Sequence, residues 1–193
     1  MSEHSITHLL APLKALQSLI DRFDTGGVVI GAVACSILAY PRFTADADAM
    51  LLLPLERIGE LLAAARECGC VPRIDAVEVF ARKHRVVLLR HKESGINIDI
   101  SLGILPFEIE AVKRSSMHQI HGISLRLPSV EDLIIMKAVA HRKKDIMDIE
   151  SLAEHHQQID RKRIREVIRQ FAEVLEMPEL WTDIEPLIER KDM

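Results

Sequence analysis

Gly31-Ala32-Val33-Ala34, followed by Pro41-Arg42-Phe43-Thr44-Ala45-Asp46-Ala47-Asp48, is the stretch that decides the reading of this chain. Just upstream, Val28-Val29-Ile30 is a short apolar run after two glycines and reads as a buried strand. Gly31 then opens a helix of small residues, roughly Ala32 to Leu38, which Pro41 prevents from continuing. A second strand is expected from Asp46 to Leu53. Alternate side chains on a strand share a face, so Asp46 and Asp48 project together. Two carboxylates held that close repel each other unless a cation or a basic partner neutralises them.

Working outward, Leu9, Leu10, Leu13, Leu16, Ile20 and Phe23 recur at helical spacing and predict an amphipathic first helix that ends near Gly26-Gly27. Pro54 begins another helix, with Leu55, Ile58, Leu61, Leu62 and Ala65 on one side. Val77 to Phe80 and Val86 to Leu89 read as strands. The polar Lys92-Glu93-Ser94-Gly95 joins the second of them to Ile96-Asn97-Ile98-Asp99-Ile100-Ser101 as a hairpin. Burying Ile96, Ile98 and Ile100 on one face leaves Asp99 on the other.

From Ser129 onward the pattern is wholly helical. Ser129 is an N-cap with Asp132 three residues on, and Asp160 caps a helix striped by Ile164, Val167, Ile168, Phe171, Val174 and Leu175. Pro178 starts a last helix. The expected fold class is therefore α+β: a small mixed sheet with flanking helices over residues 1–127, then a helical region over 128–193.

The chemistry begins with the acids. If the strand of Asp46 and Asp48 pairs with that of Asp99, three carboxylates converge on a platform suited to one or two Mg²⁺ ions. For a lone D-x-D, solvated turn acids are the ordinary explanation; the glycine, arginine and threonine upstream favour the metal. Amides at the start of the helix at Gly31 are free donors, and glycine lets a phosphate approach the main chain. Arg42 is placed either to clamp a phosphate or to pair with a neighbouring acid. Thr44 is placed to orient the Asp46 carboxylate.

Lys137 is the only charged residue in Leu133-Ile134-Ile135-Met136-Lys137-Ala138-Val139-Ala140, so its ammonium needs an anionic partner. Lys137, His141, Asp145 and Asp148 form one polar stripe if the helix is unbroken, facing a nucleotide or forming an intrahelical ion-pair ladder. Arg161, Arg165 and Arg169 line up at steps of four and read as a solvated outer face.

Bulk properties exclude several classes. With 48% apolar residues in 193, the chain can build a core, and a formal charge of −4 argues against a nucleic-acid coat protein. The three cysteines, Cys35, Cys68 and Cys70, read as reduced thiols. No stretch combines a basic start with a long apolar run, so neither a signal peptide nor a membrane span is expected, and the expected location is the cytoplasm.

Gly31-Ala32-x-Ala34, Pro41-Arg42-x-Thr44-x-Asp46-x-Asp48 and Ile98-Asp99-Ile100 together resemble the minimal nucleotidyltransferases of the DNA polymerase beta superfamily. The arginine-x-threonine element, with Glu131-Asp132-Leu133, Lys137, Arg142-Lys143-Lys144-Asp145 and Asp148, is most similar to the abortive-infection toxin-type branch. The resemblance implies Asp46 and Asp48 as metal ligands, with Asp99 a third carboxylate that helps activate the acceptor hydroxyl. It implies that Gly31 and the amide of Ala32 hold the triphosphate. The family usually has Gly or Ser at Ala32, so a serine hydroxyl is missing here while the amide survives.

The expected function is Mg²⁺-dependent transfer of an NMP from an NTP to a hydroxyl, with Arg42 and Lys137 steadying phosphates. The acceptor stays open among transfer RNA, a protein side chain and a small molecule such as an aminoglycoside. The competing expectation is a non-catalytic nucleotide-binding or partner-binding module, one half of a toxin–antitoxin pair with a cognate antitoxin.

Overall fold

The structure, a computed structural model, describes residues 7–189; residues 1–6 and 190–193, the outer ends of the two expected domains, lie outside the described residues. Contacts divide the chain into two compact units. The first comprises residues up to Ala34 together with Pro41–Pro128, and the second comprises Cys35–Tyr40 and everything from Ser129.

The elements in chain order begin with α1 (Leu10–Ile20), β1 (Gly27–Ile30), α2 (Gly31–Leu38) and β2 (Asp46–Leu51). They continue with α3 (Ile58–Glu67), β3 (Cys70–Pro72), α4 (Val77–His84), β4 (Val86–His91), β5 (Asn97–Leu102), α5 (Pro106–Lys113), β6 (Ser116–Ile120) and β7 (Ile123–Leu127). The helices α6 (Val130–Ala140), α7 (Lys143–His155), α8 (Arg161–Val174), α9 (Glu179–Thr182) and α10 (Glu185–Ile188) follow.

The main sheet of the first unit has the order β1-β2-β5-β4-β3. Only β2 and β5 run parallel; every other pairing is antiparallel. Ala47, Ala49 and Leu51 of β2 and Ile98, Ile100 and Leu102 of β5 are buried on one face. This alternation fixes the register, because a one-residue slip would drive the intervening aspartates into the core. Each fully buried Ile or Leu contributes about 1.5–3 kcal/mol. That outweighs the weak local preference of aspartate against strands, a scale spanning only about 1 kcal/mol. Helix α1 buries Leu13, Leu16 and Leu19.

One sequence expectation for the elements of this unit changes, and two elements arise that it does not contain. Val77 to Phe80 is not a strand but the start of α4, in which Val77 and Ala81, one turn apart, are buried. The V-E-V-F alternation mimics a strand, but the exposed Val79 shows that no second apolar face exists to pair. The short β3 and the β6–β7 hairpin were not foreseen. The hairpin turns through His121 and Gly122, both at positive φ (46° and 81°), as tight two-residue connections require.

In the second unit Ser129 caps α6 by accepting from the Asp132 amide, as its sequence position predicts. The helix does not run on to Asp148. His141 adopts a left-handed conformation (φ 49°) and ends α6, so the expected unbroken polar stripe is instead two helices meeting at a corner. Asp160 caps α8 as expected. The apolar stripe of α8 is only partly used, since Ile164 and Ile168 are buried while Val174 and Leu175 are exposed. Nor are the arginines a purely solvated face: Arg165 and Arg169 lie over the Trp181 ring, at 6.0 and 5.3 Å from its centroid, and Arg165 pairs with Glu189. Cation–π attraction explains the difference, because the indole face offers negative potential that water must otherwise solvate. Among the described residues, no helix is long and apolar enough to cross a membrane.

Candidate active site

The first unit brings the three acids to one sheet face. Asp46 and Asp48 alternate with buried Ala47 and Ala49 on β2, and the parallel register sets Asp48 beside Asp99 and Asp46 beside Asn97. Asp46 is exposed, Asp48 half-buried, and the Asp99 side chain retains 34% of its exposure. Burial pushes the Asp99 carboxyl above the usual carboxylate range; Arg73 pulls it back down, and the negative charge of Asp46 raises it further. Asp46 and Asp99 therefore share one electrostatic environment.

Gly31 lies under this cluster. It sits at φ +68°, and a Cβ built on it would fall 2.2 Å from Asp48 Oδ2. The residue must be glycine on two counts: the left-handed backbone, and the carboxylate packed against its Cα. Gly31 is also the first residue of α2, an eight-residue helix whose first-turn amides have no acceptors within the helix. Ala32 follows on that turn, half-buried, and offers its amide.

Thr44 differs from expectation. Its hydroxyl donates to the backbone carbonyl of Asp46 (3.2 Å), not to the carboxylate, so it shapes the entry into β2 and leaves the acid oxygens open. Phe43, 73% exposed, stacks on His8, whose Nε2 lies 2.9 Å from the Thr44 carbonyl. Arg42 is half-buried on the same segment.

Lys137 belongs to the second unit and is buried there, its ammonium 3.0 Å from Asp145 Oδ1 and 2.7 Å from Asp148 Oδ2. Burial alone would lower its pKa, but Cys35, Asp148 and Asp145 together hold it above the ordinary lysine value. Burial likewise pushes the Asp145 carboxyl up, yet hydrogen bonds from Arg142 and Lys137 outweigh it and hold Asp145 below the usual carboxylate range. Of the two readings of Lys137, this geometry favours the ion pair, made across the α6–α7 corner instead of along one helix.

One participant was invisible in the sequence. Arg73 extends β3, its amide bonding the Leu88 carbonyl at 3.0 Å, and its guanidinium reaches Asp99. Nη2 lies 2.9 Å from Oδ1 and 3.2 Å from Oδ2, but only the Oδ2 contact has hydrogen-bond geometry. Buried Oδ1 is left without a directed donor. Recognising β3 was the missing signal, and a three-residue strand gives too little periodicity to find.

Among the described residues, no three His, Cys, Asp or Glu side chains close into a metal cage by themselves. The donor set nevertheless fits Mg²⁺, which is usually held by one or two carboxylates, with waters and substrate phosphates completing its shell. An undirected Asp99 oxygen and a half-buried Asp48 carboxylate on a glycine floor are donors of that kind.

A mixed sheet carrying paired acids beside a glycine-started helix is the architecture of a nucleotidyltransferase. The model of the family described as "Nucleotidyltransferase of unknown function (DUF6036)" matches residues 4–182, and the chain belongs to that family of enzymes. No curated protein matches the chain. Solved structures share its fold at low identity. The antibiotic-resistance factor ANT(2'')-Ia is 17% identical with a TM-score of 0.59, over 93% of this chain and 98% of that one. An antigenic nucleotidyltransferase-like protein from Paracoccidioides brasiliensis is 14% identical with a TM-score of 0.52, over 90% and 92%. A nucleotidyltransferase structure from H. pylori is 18% identical with a TM-score of 0.50, over 97% and 85%.

Proposed function

We propose that the acid cluster of the first unit transfers an NMP from an NTP to a hydroxyl acceptor, releasing pyrophosphate, with Mg²⁺ as the required ion. The observation that carries this is the in-register pairing of Asp48 with Asp99 beside Asp46, over a Gly31 floor. In the reaction the acceptor oxygen bonds to the α-phosphorus, and the bond from that phosphorus to the bridging α–β oxygen breaks.

Asp46, Asp48 and Asp99 would hold the ion, which when bound neutralises charge on the phosphates and lowers the pKa of the attacking hydroxyl. Asp99 takes the hydroxyl proton, a role suited to a carboxylate whose proton affinity burial has raised. The Gly31 and Ala32 amides bind phosphate oxygens at the start of α2, where the helix dipole favours negative charge. Arg42 and Thr44 border the same segment, Arg42 steadying phosphate and Thr44 shaping the approach of Asp46 to the sheet. Lys137 contributes by locking α6 to α7.

Transfer RNA, a protein side chain or a small molecule remains the acceptor in this proposal. Membership of the abortive-infection branch, with a cognate antitoxin, is proposed on the Arg42-x-Thr44 element together with the helical signature Glu131-Asp132-Leu133, Lys137, Arg142-Lys143-Lys144-Asp145 and Asp148. The test is a screen of total RNA, cell lysate and aminoglycosides with labelled NTPs and Mg²⁺, for wild type and Asp48→Ala. Labelled product and pyrophosphate from the wild type alone support the proposal; a silent wild type contradicts it.

A further inference from the structure

Arg73 occupies the position of a ligand to Asp99. Its Nη2 lies within 3.2 Å of both carboxylate oxygens and hydrogen-bonds only Oδ2. Oδ1 is buried and receives no directed bond. A carboxylate covered in this way cannot offer Oδ1 to a cation or take a proton from a hydroxyl until the guanidinium moves. Arg73 is also well placed to move. It follows the three-residue β3 at the edge of the sheet, anchored there by its amide, and its side chain must cross over β4 to reach β5.

We propose that Arg73 is the positioning residue that decides when Asp99 is available, releasing it when the polyphosphate of a nucleotide takes over the guanidinium. The inference rests on the reading of the acid cluster as a nucleotidyl-transfer site. Its physical basis is competition: a guanidinium forms paired bonds with a carboxylate or a phosphate, and a triphosphate carries more charge than one aspartate. With no nucleotide the acids are held apart from the cation; with nucleotide, Asp99 and the phosphates present their oxygens together. Metal and nucleotide binding are thereby coupled, ordinarily by about 5- to 150-fold.

The test measures binding, not turnover. Mn²⁺ alone is titrated calorimetrically into wild type, Arg73→Ala, Arg73→Lys, Arg73→Ala/Asp99→Asn and Arg90→Ala. Arg90→Ala is the charge control, since Arg90 lies on β4 two pairs along from the Leu88–Asp99 pair, opposite Asn97. Separately, the α,β-methylene analogues of ATP, CTP, GTP and UTP are titrated in EDTA. Arg73→Ala should bind Mn²⁺ about tenfold more tightly than wild type and the nucleotide analogue about tenfold more weakly, within the usual range of such couplings. Arg73→Lys should fall between the two proteins. The Mn²⁺ gain should vanish in Arg73→Ala/Asp99→Asn.

Opposite signs are the signature that a merely structural role would not produce. Equal Mn²⁺ gains in Arg73→Ala and Arg90→Ala overturn the proposal, as does a gain that survives loss of Asp99, or an analogue affinity indifferent to Arg73. A wild type that binds no analogue even with Mg²⁺ counts against the transferase reading itself, a result distinguishable from failure of the Arg73 proposal alone.

Discussion

A Gly31→Ala substitution would place a methyl group 2.2 Å from Asp48 Oδ2 and 3.0 Å from the Asp48 Cβ and Cγ, where ordinary contact begins near 3.4 Å. It would also hold a Cβ-bearing residue at φ +68°. The left-handed backbone costs about 1–2 kcal/mol. Overpacking against the carboxylate adds about 1–3 kcal/mol, unless Asp48 leaves its position. The two contributions separate in a double-mutant cycle, because Asp48→Ala removes the 2.2 Å carboxylate clash and leaves the backbone strain, with a 3.0 Å approach to the retained Cβ that a shift of a few tenths of an ångström relieves. Urea unfolding of wild type, both single variants and the double variant gives the four stabilities. Gly31→Ala should cost about 2–5 kcal/mol alone and about 1–2 kcal/mol in the Asp48→Ala background. Transfer activity should be lost in Gly31→Ala, because the carboxylate can escape the methyl only by leaving the acid cluster. Equal penalties in both backgrounds, or a Gly31→Ala protein that is both stable and active, would refute the account of why this residue is glycine.

Two further predictions concern the second unit and the cysteines. Lys137→Met removes the ammonium shared by the buried Asp145 and Asp148 carboxylates and should destabilise the fold by about 3–5 kcal/mol in urea titrations at pH 7; a loss under about 1 kcal/mol would place the ammonium elsewhere. Because the folded Asp145 carboxyl lies below its unfolded value, its stabilisation is present above about pH 4 and lost as pH falls through the lowered value. Wild-type stability should therefore decline below about pH 4, and Asp145→Asn should flatten that decline. None of the three cysteines is in a disulfide; burial pushes Cys70 up to about 11, and Cys35 is buried. At pH 8 a thiol reagent should label half-exposed Cys68 first, checked by peptide mass spectrometry, and first labelling at Cys70 would contradict its burial.

The parts of the site legible in the sequence were those governed by short-range rules. Period-two alternation put Asp46, Asp48 and Asp99 on polar strand faces, and a glycine after an apolar run marked the start of α2. The Ser129 and Asp160 caps were readable for the same reason, since a cap acts over three residues. What escaped depended on partners distant in sequence. Val77 to Phe80 alternates like a strand, yet its environment makes it helical. The break at His141 hangs on a single left-handed residue, and it turned a supposed ladder into a corner where Lys137 meets Asp145 and Asp148. Arg73 reaches Asp99 across 26 residues and an intervening strand, a relation that no local pattern encodes. Thr44 was placed beside the right aspartate but on its carbonyl, because the sequence does not choose between the acceptors of one residue.

The most direct measurement of the central claim is pyrophosphate release with Mg²⁺ and each of the four NTPs over a library of RNA, protein and small-molecule acceptors. It would be run on wild type, Asp46→Asn, Asp48→Asn and Asp99→Asn, with folding confirmed by circular dichroism. The account predicts release by the wild type with at least one acceptor and a loss of about 100-fold or more in each variant, as expected when a group acting in the transition state is removed. Release that persists in all three variants would contradict it.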